Sequence, residues 1–470
     1  MQGRQPYHKP GEDHPDTTDP HSLPYHQLVH HLYNLSETEW FKANWRISLK
    51  NRGLRDVHLS SQRMSFNKLA SPADLTKVFS SLKQTDFFYS CRMSLIGDVC
   101  LITGACGFLG QKIIQLLIEE NELAEIRLLD LNINPKLIES LEAIRGQTKI
   151  TKLEGDIRDI ELLKKACQDV SLVIHTASVI DILGAVDKNE MTAVNVTGTQ
   201  LLLETCLQKN VKYFIYTSSL EVAGPNKMGD SIINGNEDTP PYSCCLKFTY
   251  SITKQKAEQI TLQTNGKHLH NGEQIVTCSL RPTYIYGEGS KFILQHFDTA
   301  IRNGNVLKRT SKKEALVNPV YVGNVAWAHI LSAKAMKDLH KVKQIGGHFF
   351  FISDDTPHMS YSDFNDVLLK PLGIIVPEKL ELPMPLLFFL AFLMEMLQFL
   401  LKPFVKYTPS MNRQLLIMLN THFTFTYAKA QKAFGYTPRY RWTEAKTTTS
   451  EWLSSVLSER CELVKKMKTH

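Results

Sequence analysis

The chain has 470 residues, 43% of them hydrophobic and 21% charged, with a net charge of +7, which is ordinary globular material long enough for one large core or two domains. The basic residues are dispersed apart from Lys308, Arg309, Lys312 and Lys313 and the terminal Lys465, Lys466 and Lys468, which read as solvated surface with anionic lipid as the alternative, so no nucleic-acid partner is expected. Nine cysteines, an odd count with no C-x-x-C pair, argue against a disulfide framework or a zinc site and for reduced thiols: Cys100, Cys167, Cys206 and Cys278 in the core, Cys244 and Cys245 in a loop.

Residues 1–92 differ from everything after them. They carry seven of the 17 histidines, several prolines and few periodic apolar runs, and no basic-then-apolar signal opens them. The histidines (His8, His14, His21, His26, His30, His31, His58) have no ligand spacing, so no metal is expected. This extension is expected to be poorly ordered or outside the fold, and dispensable, with the compact part starting near Met93.

The segment Val99–Ile102 reads as a buried strand, followed by Gly104, Gly107 and Gly110 and then the helical periodicity of 111–117. Strand, glycine turn and helix are the context that a dinucleotide fingerprint requires. Glycines allow close backbone approach to a pyrophosphate, and the helix start at Phe108 and Leu109 faces it. A second strand, Ile126–Leu129, ends in Asp130, about twenty residues after the last glycine as the fingerprint expects. A carboxylate there accepts from ribose hydroxyls and repels a 2′-phosphate, so NAD is expected over NADP.

Further strands are expected at 150–153, 171–175, 212–216 and 275–280, with helices at 136–146, 160–168, 189–208 and 250–263. The alternation implies an α/β fold: a Rossmann-type, doubly wound parallel sheet with a smaller C-terminal substrate region. Cofactor contacts then gather at the strands' carboxyl ends, where Asp156 and Ile157 are placed to hold the adenine and Thr176 and Ala177 to line the pyrophosphate or ribose.

Tyr250-Ser251-Ile252-Thr253-Lys254 is a Y-x-x-x-K. Positions four apart share a helix face, so Lys254 can hold the cofactor ribose while its charge favours the phenolate of Tyr250, a general base for an alcohol being oxidised. Thr217-Ser218-Ser219 follows the fifth strand; Ser219 is the candidate to hold the substrate oxygen, with Ser218 and Thr217 nearer the cofactor. Asn195 is a polar residue inside an apolar helix, where a bond to backbone and the ordering of an active-site water are both open.

Together, Thr103-Gly104-x-x-Gly107-x-x-Gly110, Asp130, Asn195, Ser219 and Tyr250/Lys254 resemble the extended short-chain dehydrogenase/reductase superfamily. Within it, Tyr216-Thr-Ser-Ser-Leu-Glu-Val-Ala-Gly-Pro-Asn226, Leu280-Arg-Pro-Thr-Tyr-Ile-Tyr-Gly-Glu-Gly289, Asn318-Pro-Val-Tyr-Val-Gly-Asn-Val-Ala-Trp-Ala-His329 and Ile352-Ser-Asp-Asp-Thr-Pro-His358 are similar to the 3β-hydroxysteroid dehydrogenase/Δ5–Δ4 isomerase family. The likeness runs from Met93 almost to the C-terminus, while residues 242–249 and those inside the Tyr250/Lys254 motif depart from the vertebrate hormone-making forms. The resemblance implies NAD-dependent oxidation of 3β-hydroxy-Δ5-steroids with coupled isomerisation in steroid hormone biosynthesis. It also implies a Rossmann domain over 93–285, a substrate region over 286–470, and attachment to endoplasmic reticulum and mitochondrial membranes; a homodimer is compatible with it.

The apolar run 382–401 approaches bilayer-spanning length but is interrupted by Glu395 and Gln398, which favours embedding without a crossing over a buried cap helix. Moving a double bond beside a ketone needs a carboxyl-type base. Asp354 and Asp355 end the apolar strand 348–352, where a turn is the plain reading, and the resemblance links them to the isomerase step. The competing functions are a nucleotide-sugar epimerase or dehydratase of the same superfamily, and a non-catalytic NAD-binding sensor.

Overall fold

A computed structural model describes residues 94–226, 228–239, 248–402, 404–405 and 407–468. Separately, it describes an antiparallel hairpin, Asp56–Leu59 with Gln62–Ser65, in register from Asp56↔Ser65 to Leu59↔Gln62. The rest of residues 1–92, with its histidines and its expected dispensability, and the thiols of Cys244 and Cys245 lie outside the described residues.

From Ser94 onward, strands alternate with helices: β1 (Val99–Thr103), α1 (Phe108–Glu120), β2 (Glu125–Asp130), α2 (Pro135–Ile144), β3 (Lys149–Glu154), α3 (Ile160–Ala166) and β4 (Leu172–His175). A helical stretch then runs as α4 (Lys188–Thr192), a π-helical segment at Ala193–Gly198 and α5 (Thr199–Gln208). After it come β5 (Tyr213–Thr217), β6 (Ile232–Gly235), α6 (Thr249–Thr264), β7 (Val276–Pro282) and β8 (Tyr284–Tyr286). The C-terminal part adds α7 (Lys291–Arg302), β9 (Pro319–Tyr321), α8 (Val322–Met336), β10 (Phe349–Ile352), α9 (Tyr361–Leu369), α10 (Met384–Leu401), α11 (Arg413–Leu419), β11 (Phe423–Phe425), α12 (Ala428–Phe434) and α13 (Trp442–Lys468).

Seven strands form one sheet in the order β3-β2-β1-β4-β5-β7-β10, every pair parallel. Parallel strands covered on both faces read as continuous apolar runs, and here the two faces separate residue by residue. Cys100 and Ile102 of β1, Ile126 and Leu128 of β2 and Ile215 of β5 face one core, shared with α1, α2 and α8. Leu101, Leu129, Phe214 and Tyr216 face the other, shared with α3, α5 and α6. The sheet is therefore doubly wound.

Residue 285 is not a break in this fold. The seventh strand, β10, comes from beyond it and pairs with β7 from Phe349↔Ser279 to Ile352↔Pro282, while the buried face of α8 joins the same core as the helix that follows the glycines. The proposed division at that residue is corrected accordingly: one compact unit extends to the C-terminus. In the basic cluster, Lys308, Lys312 and Lys313 are solvated surface as expected, with Lys308 facing Glu381 at 2.8 Å and Lys313 facing Glu378 at 3.8 Å; Arg309 departs from that reading, being buried and paired with Asp363.

Candidate active site

The glycine turn is shaped by close contacts. Gly104 has φ +69°, and a Cβ there would lie 2.7 Å from the Ala177 nitrogen; one on Gly110 would lie 2.2 Å from the Gly104 carbonyl oxygen. No side chain fits either position. The helix α1 begins at Phe108 with no side-chain cap, and Gln111 is the residue that bonds back to Gly107 at 3.0 Å. The N–H groups of Phe108, Leu109 and Gly110 therefore stand at the positive end of the helix. The Leu109 side chain points into the core, so only its backbone can serve a ligand. Asp130 Oδ2 accepts the Cys106 N–H at 2.8 Å, which fixes the carboxylate beside the turn.

The loops beyond β3 and β4 are tied down by their own side chains. Asp156 is gripped by Arg158, whose Nη2 lies 2.6 Å from Oδ2 and whose backbone N–H donates to Oδ1 at 2.8 Å. That pairing holds the Asp156 carboxyl below its usual range. Ile157 is buried, and its Cδ1 would touch a Cβ on Gly198 at 2.7 Å. Thr176 donates to the Thr103 carbonyl at 2.8 Å and anchors this loop to β1.

At the end of β5 the chemistry-bearing groups converge. Tyr250 and Lys254 lie on one face of α6 and are both buried. The Ser219 hydroxyl hydrogen-bonds Tyr250, whose pKa is pushed up by burial and by the charge of Glu221 and pulled down by that bond. Lys254 Nζ donates to the Thr217 carbonyl at 2.5 Å and sits 4.4 Å from the centroid of the Tyr216 ring. Burial brings its pKa down to about 7, against the pull of Glu258. The Ser218 hydroxyl is buried without a partner.

Two imidazoles support this cluster, and neither stood out in the sequence. His329 of α8 donates from Nδ1 to the Val325 carbonyl at 2.8 Å, so its Nε2 accepts from the Thr217 hydroxyl, also at 2.8 Å. His175 bridges Thr103 and Thr199 at 2.6 and 2.8 Å. Burial lowers their pKa values to about 4 and about 3, so both are neutral at ordinary pH.

Asn195 bonds to backbone and to the helix of Tyr250 and Lys254. Its Oδ1 accepts the Val179 N–H at 2.7 Å, and its Nδ2 donates to the Val179 carbonyl at 2.9 Å and to Thr253 Oγ1 at 3.0 Å. It ties the loop after β4 to α6.

Asp354 and Asp355 are not beside this cluster's hydroxyls in any contact. Asp354 is buried; Oδ2 accepts from Tyr321 N–H at 2.8 Å and Asn324 Nδ2 at 2.7 Å, and Oδ1 from Thr356 N–H at 2.9 Å. It caps the start of α8. Asp355 accepts from the Tyr427 hydroxyl at 3.2 Å in an exposed position. The carboxyl that does adjoin Tyr250 is Glu221, missed because it sits in a short 3-10 turn capped by Ser219. Its Oε2 accepts from the Ser251 hydroxyl at 2.8 Å, and burial raises its pKa. Its charge also reaches Tyr361, whose ring packs edge-on against Tyr284 with centroids 5.1 Å apart.

The fold has solved counterparts. An epimerase, Mth375, from Methanothermobacter thermautotrophicus superposes with a TM-score of 0.58 at 18% identity, covering 82% of this chain and 98% of that one. MoeE5 in complex with UDP-glucuronic acid and NAD gives a TM-score of 0.55 at 20% identity, covering 76% and 99%. The dTDP-glucose 4,6-dehydratase DesIV from Streptomyces venezuelae, with NAD and TYD bound, gives 0.55 at 19%, covering 76% and 97%. In sequence, residues 101–384 match the 3-beta hydroxysteroid dehydrogenase/isomerase family across the glycine turn, the Tyr250/Lys254 helix and the strand before Asp354. This chain belongs to that family.

Proposed function

We propose that the protein oxidises 3β-hydroxy-Δ5-steroids with NAD and shifts the double bond from Δ5 to Δ4. The observation that carries the reading is the buried Tyr250–Ser219 hydroxyl pair with Lys254 fixed on the Thr217 carbonyl one helical turn away, in a chain of this family. The residues present fit a dinucleotide. The cradle between Gly104 and Gly110 admits no Cβ, Asp130 stands beside it, Lys254 is held at one backbone oxygen, and Ser218 has an unpartnered buried hydroxyl. The glycine cradle and α1 N–H groups would hold the pyrophosphate, Asp130 the adenosine ribose, and Lys254 the nicotinamide ribose. Bound NAD supplies the hydride acceptor and a positive charge.

Ser219 hydrogen-bonds the substrate's C3 oxygen, and Tyr250, as the phenolate that the positive charges of Lys254 and bound NAD would favour, accepts the hydroxyl proton as hydride leaves C3, giving the 3-ketone. In the second reaction the C4 proton moves to the Glu221 carboxylate, the double bond shifts, and the same carboxyl returns the proton at C6 with no net redox change. A carboxylate whose pKa is raised is the stronger proton acceptor, and Glu221 is raised by burial. Asp354 already accepts three hydrogen bonds and is not assigned this step.

Membrane association through α10 completes the reading, at endoplasmic reticulum and mitochondrial membranes. The helix has a mean hydropathy of 2.0, and Ala391 is the one fully buried residue of its 18. Incubation of the full chain with NAD and a 3β-hydroxy-Δ5-steroid tests the proposal. NADH followed by conjugated-enone absorbance supports it; turnover of a nucleotide sugar instead assigns an epimerase or dehydratase, and NAD binding with neither assigns a sensor.

A further inference from the structure

The helix α10 has two apolar faces in unlike situations. Leu386, Phe389, Leu393, Leu397 and Leu400, three or four residues apart, are all exposed, Phe389 at 55% and Leu400 at 60%, and Phe404 continues the stripe at 83%. On the other side Ala391 is buried, and Leu387, Phe388, Met394 and Gln398 are half-buried against the body. A lone helix that crosses a bilayer meets lipid on every face. This one lies along the protein, and only the opposite side, which also carries exposed Phe392, Met396 and Phe399, is left for lipid.

Its acidic residue is neutralised in place. Glu395 accepts from the Arg413 backbone N–H at 2.7 Å and from its guanidinium at 2.9 and 2.7 Å. The chain then returns to the body it left: β11 pairs in parallel with β6 (Phe423↔Ile232), and Ala430, Ala433 and Phe434 of α12 enter the main core. A crossing at α10 would separate β11 from β6. Exposed Lys379 and Lys402 flank the helix, as suits an anionic lipid surface.

The same helix region braces the loop after β4. Gln398 Nε2 donates to the Gly184 carbonyl at 3.4 Å, and Asn412 Nδ2 to the Ile182 carbonyl at 2.9 Å. Ile180, on that loop, is 51% exposed. One residue earlier, Val179 is held by Asn195, which also bonds Thr253 on the helix of Tyr250 and Lys254.

We propose that α10 lies in the plane of one membrane leaflet, and that the 180–186 loop rests on the same lipid surface, so that an apolar substrate reaches Tyr250 from the lipid side. The lateral route rests on the reading of an apolar substrate given above; the seating does not.

The test uses the full chain with phosphatidylcholine–phosphatidylserine vesicles. Phe389→Trp and Leu400→Trp are compared for quenching by lipids brominated at successive acyl positions, above the background of the parent protein. These positions are about 16 Å apart along the helix axis. In-plane seating gives both the same shallow depth. Depths differing by about that separation, or no quenching above background, overturn it. Hydrogen exchange at the amides of Leu183, Gly184 and Val186, all bonded to the Asp181 carboxylate, should slow on adding vesicles. Leu393→Glu/Leu397→Glu should lose this slowing together with flotation, while Ile144→Glu, at the exposed end of α2, keeps both. Quenching with unchanged loop exchange overturns the lipid-side mouth. Neither measurement uses a steroid, so a failed oxidation assay and a failed seating are told apart.

Discussion

Glu221 and Asp354 each stand shortly after a sheet strand, β5 and β10, and burial raises the pKa of both. Their hydrogen bonds set them apart. Asp354 accepts from two backbone N–H groups and the Asn324 amide, joining β10 to the start of α8. Glu221 is held through one oxygen by Ser251, next to Tyr250. A buried carboxylate that accepts several hydrogen bonds is part of the framework, whereas one held through a single oxygen keeps a lone pair for a proton. Burial alone does not separate the two, and a perturbed pKa marks both.

The comparison can be broken by substitution. Tyr250→Phe bears on the β5 end as a whole and should lower steroid oxidation by about 10²–10⁴-fold, the usual loss on removing a general base. NAD binding, read by fluorescence titration, should persist; undiminished oxidation would remove the β5 end from the chemistry. Glu221→Gln should slow conversion of a supplied Δ5-3-ketosteroid by about 10²-fold or more while oxidation survives, read as enone absorbance. Because the base must be deprotonated and its pKa is raised, isomerisation in the parent protein should fall with decreasing pH from above the ordinary carboxylate range.

At the β10 end the effect should move from rate to stability. Asp354→Asn turns an amide toward donors and should cost about 1–3 kcal/mol in urea unfolding, with isomerisation by the folded protein retained. Selective loss of isomerisation at unchanged stability would reverse the assignments of the two carboxylates. Lys254→Met gives a smaller, opposite shift. The buried cation has its pKa lowered to about 7, so it opposes folding fully below that pH, and the penalty fades as pH rises toward the unfolded value. The variant should therefore be inactive yet gain about 1–2 kcal/mol near neutral pH, a gain that shrinks in alkali. Asp355→Asn, at an exposed 3.2 Å contact, should change unfolding by less than about 0.5 kcal/mol.

Much of the cofactor side was legible because its constraints are local. The glycine spacing, the apolar strand before it and Asp130 lie within one β1-α1-β2 unit, and the i, i+4 pairing of Tyr250 with Lys254 needs only a helix. What escaped depends on distant partners. Asp354 looked like a base because its Tyr321 and Asn324 partners are some thirty residues upstream; those contacts are visible only once β10 joins β7. The same pairing removed the expected boundary at 285. Glu221 was overlooked because nothing in Ser219-Leu220-Glu221 shows that Ser251 will meet it, and His329 because a histidine within an apolar helix usually marks packing.

The π-helical segment at Ala193–Gly198 carries one further consequence. Such a segment takes up one residue more per turn than the α-helices on either side, so α4 and α5 keep nearly the phase they would have in a continuous α-helix one residue shorter. Asn195 sits inside this wide turn, with Thr199 donating to its carbonyl at 2.7 Å. Closing all six residues into an α-helix would rotate everything upstream by about 100° relative to α5, and the Asn195 amide would swing away from Val179 and Thr253. Homologues should therefore keep the wide turn at this length, or lose the turn and one residue together.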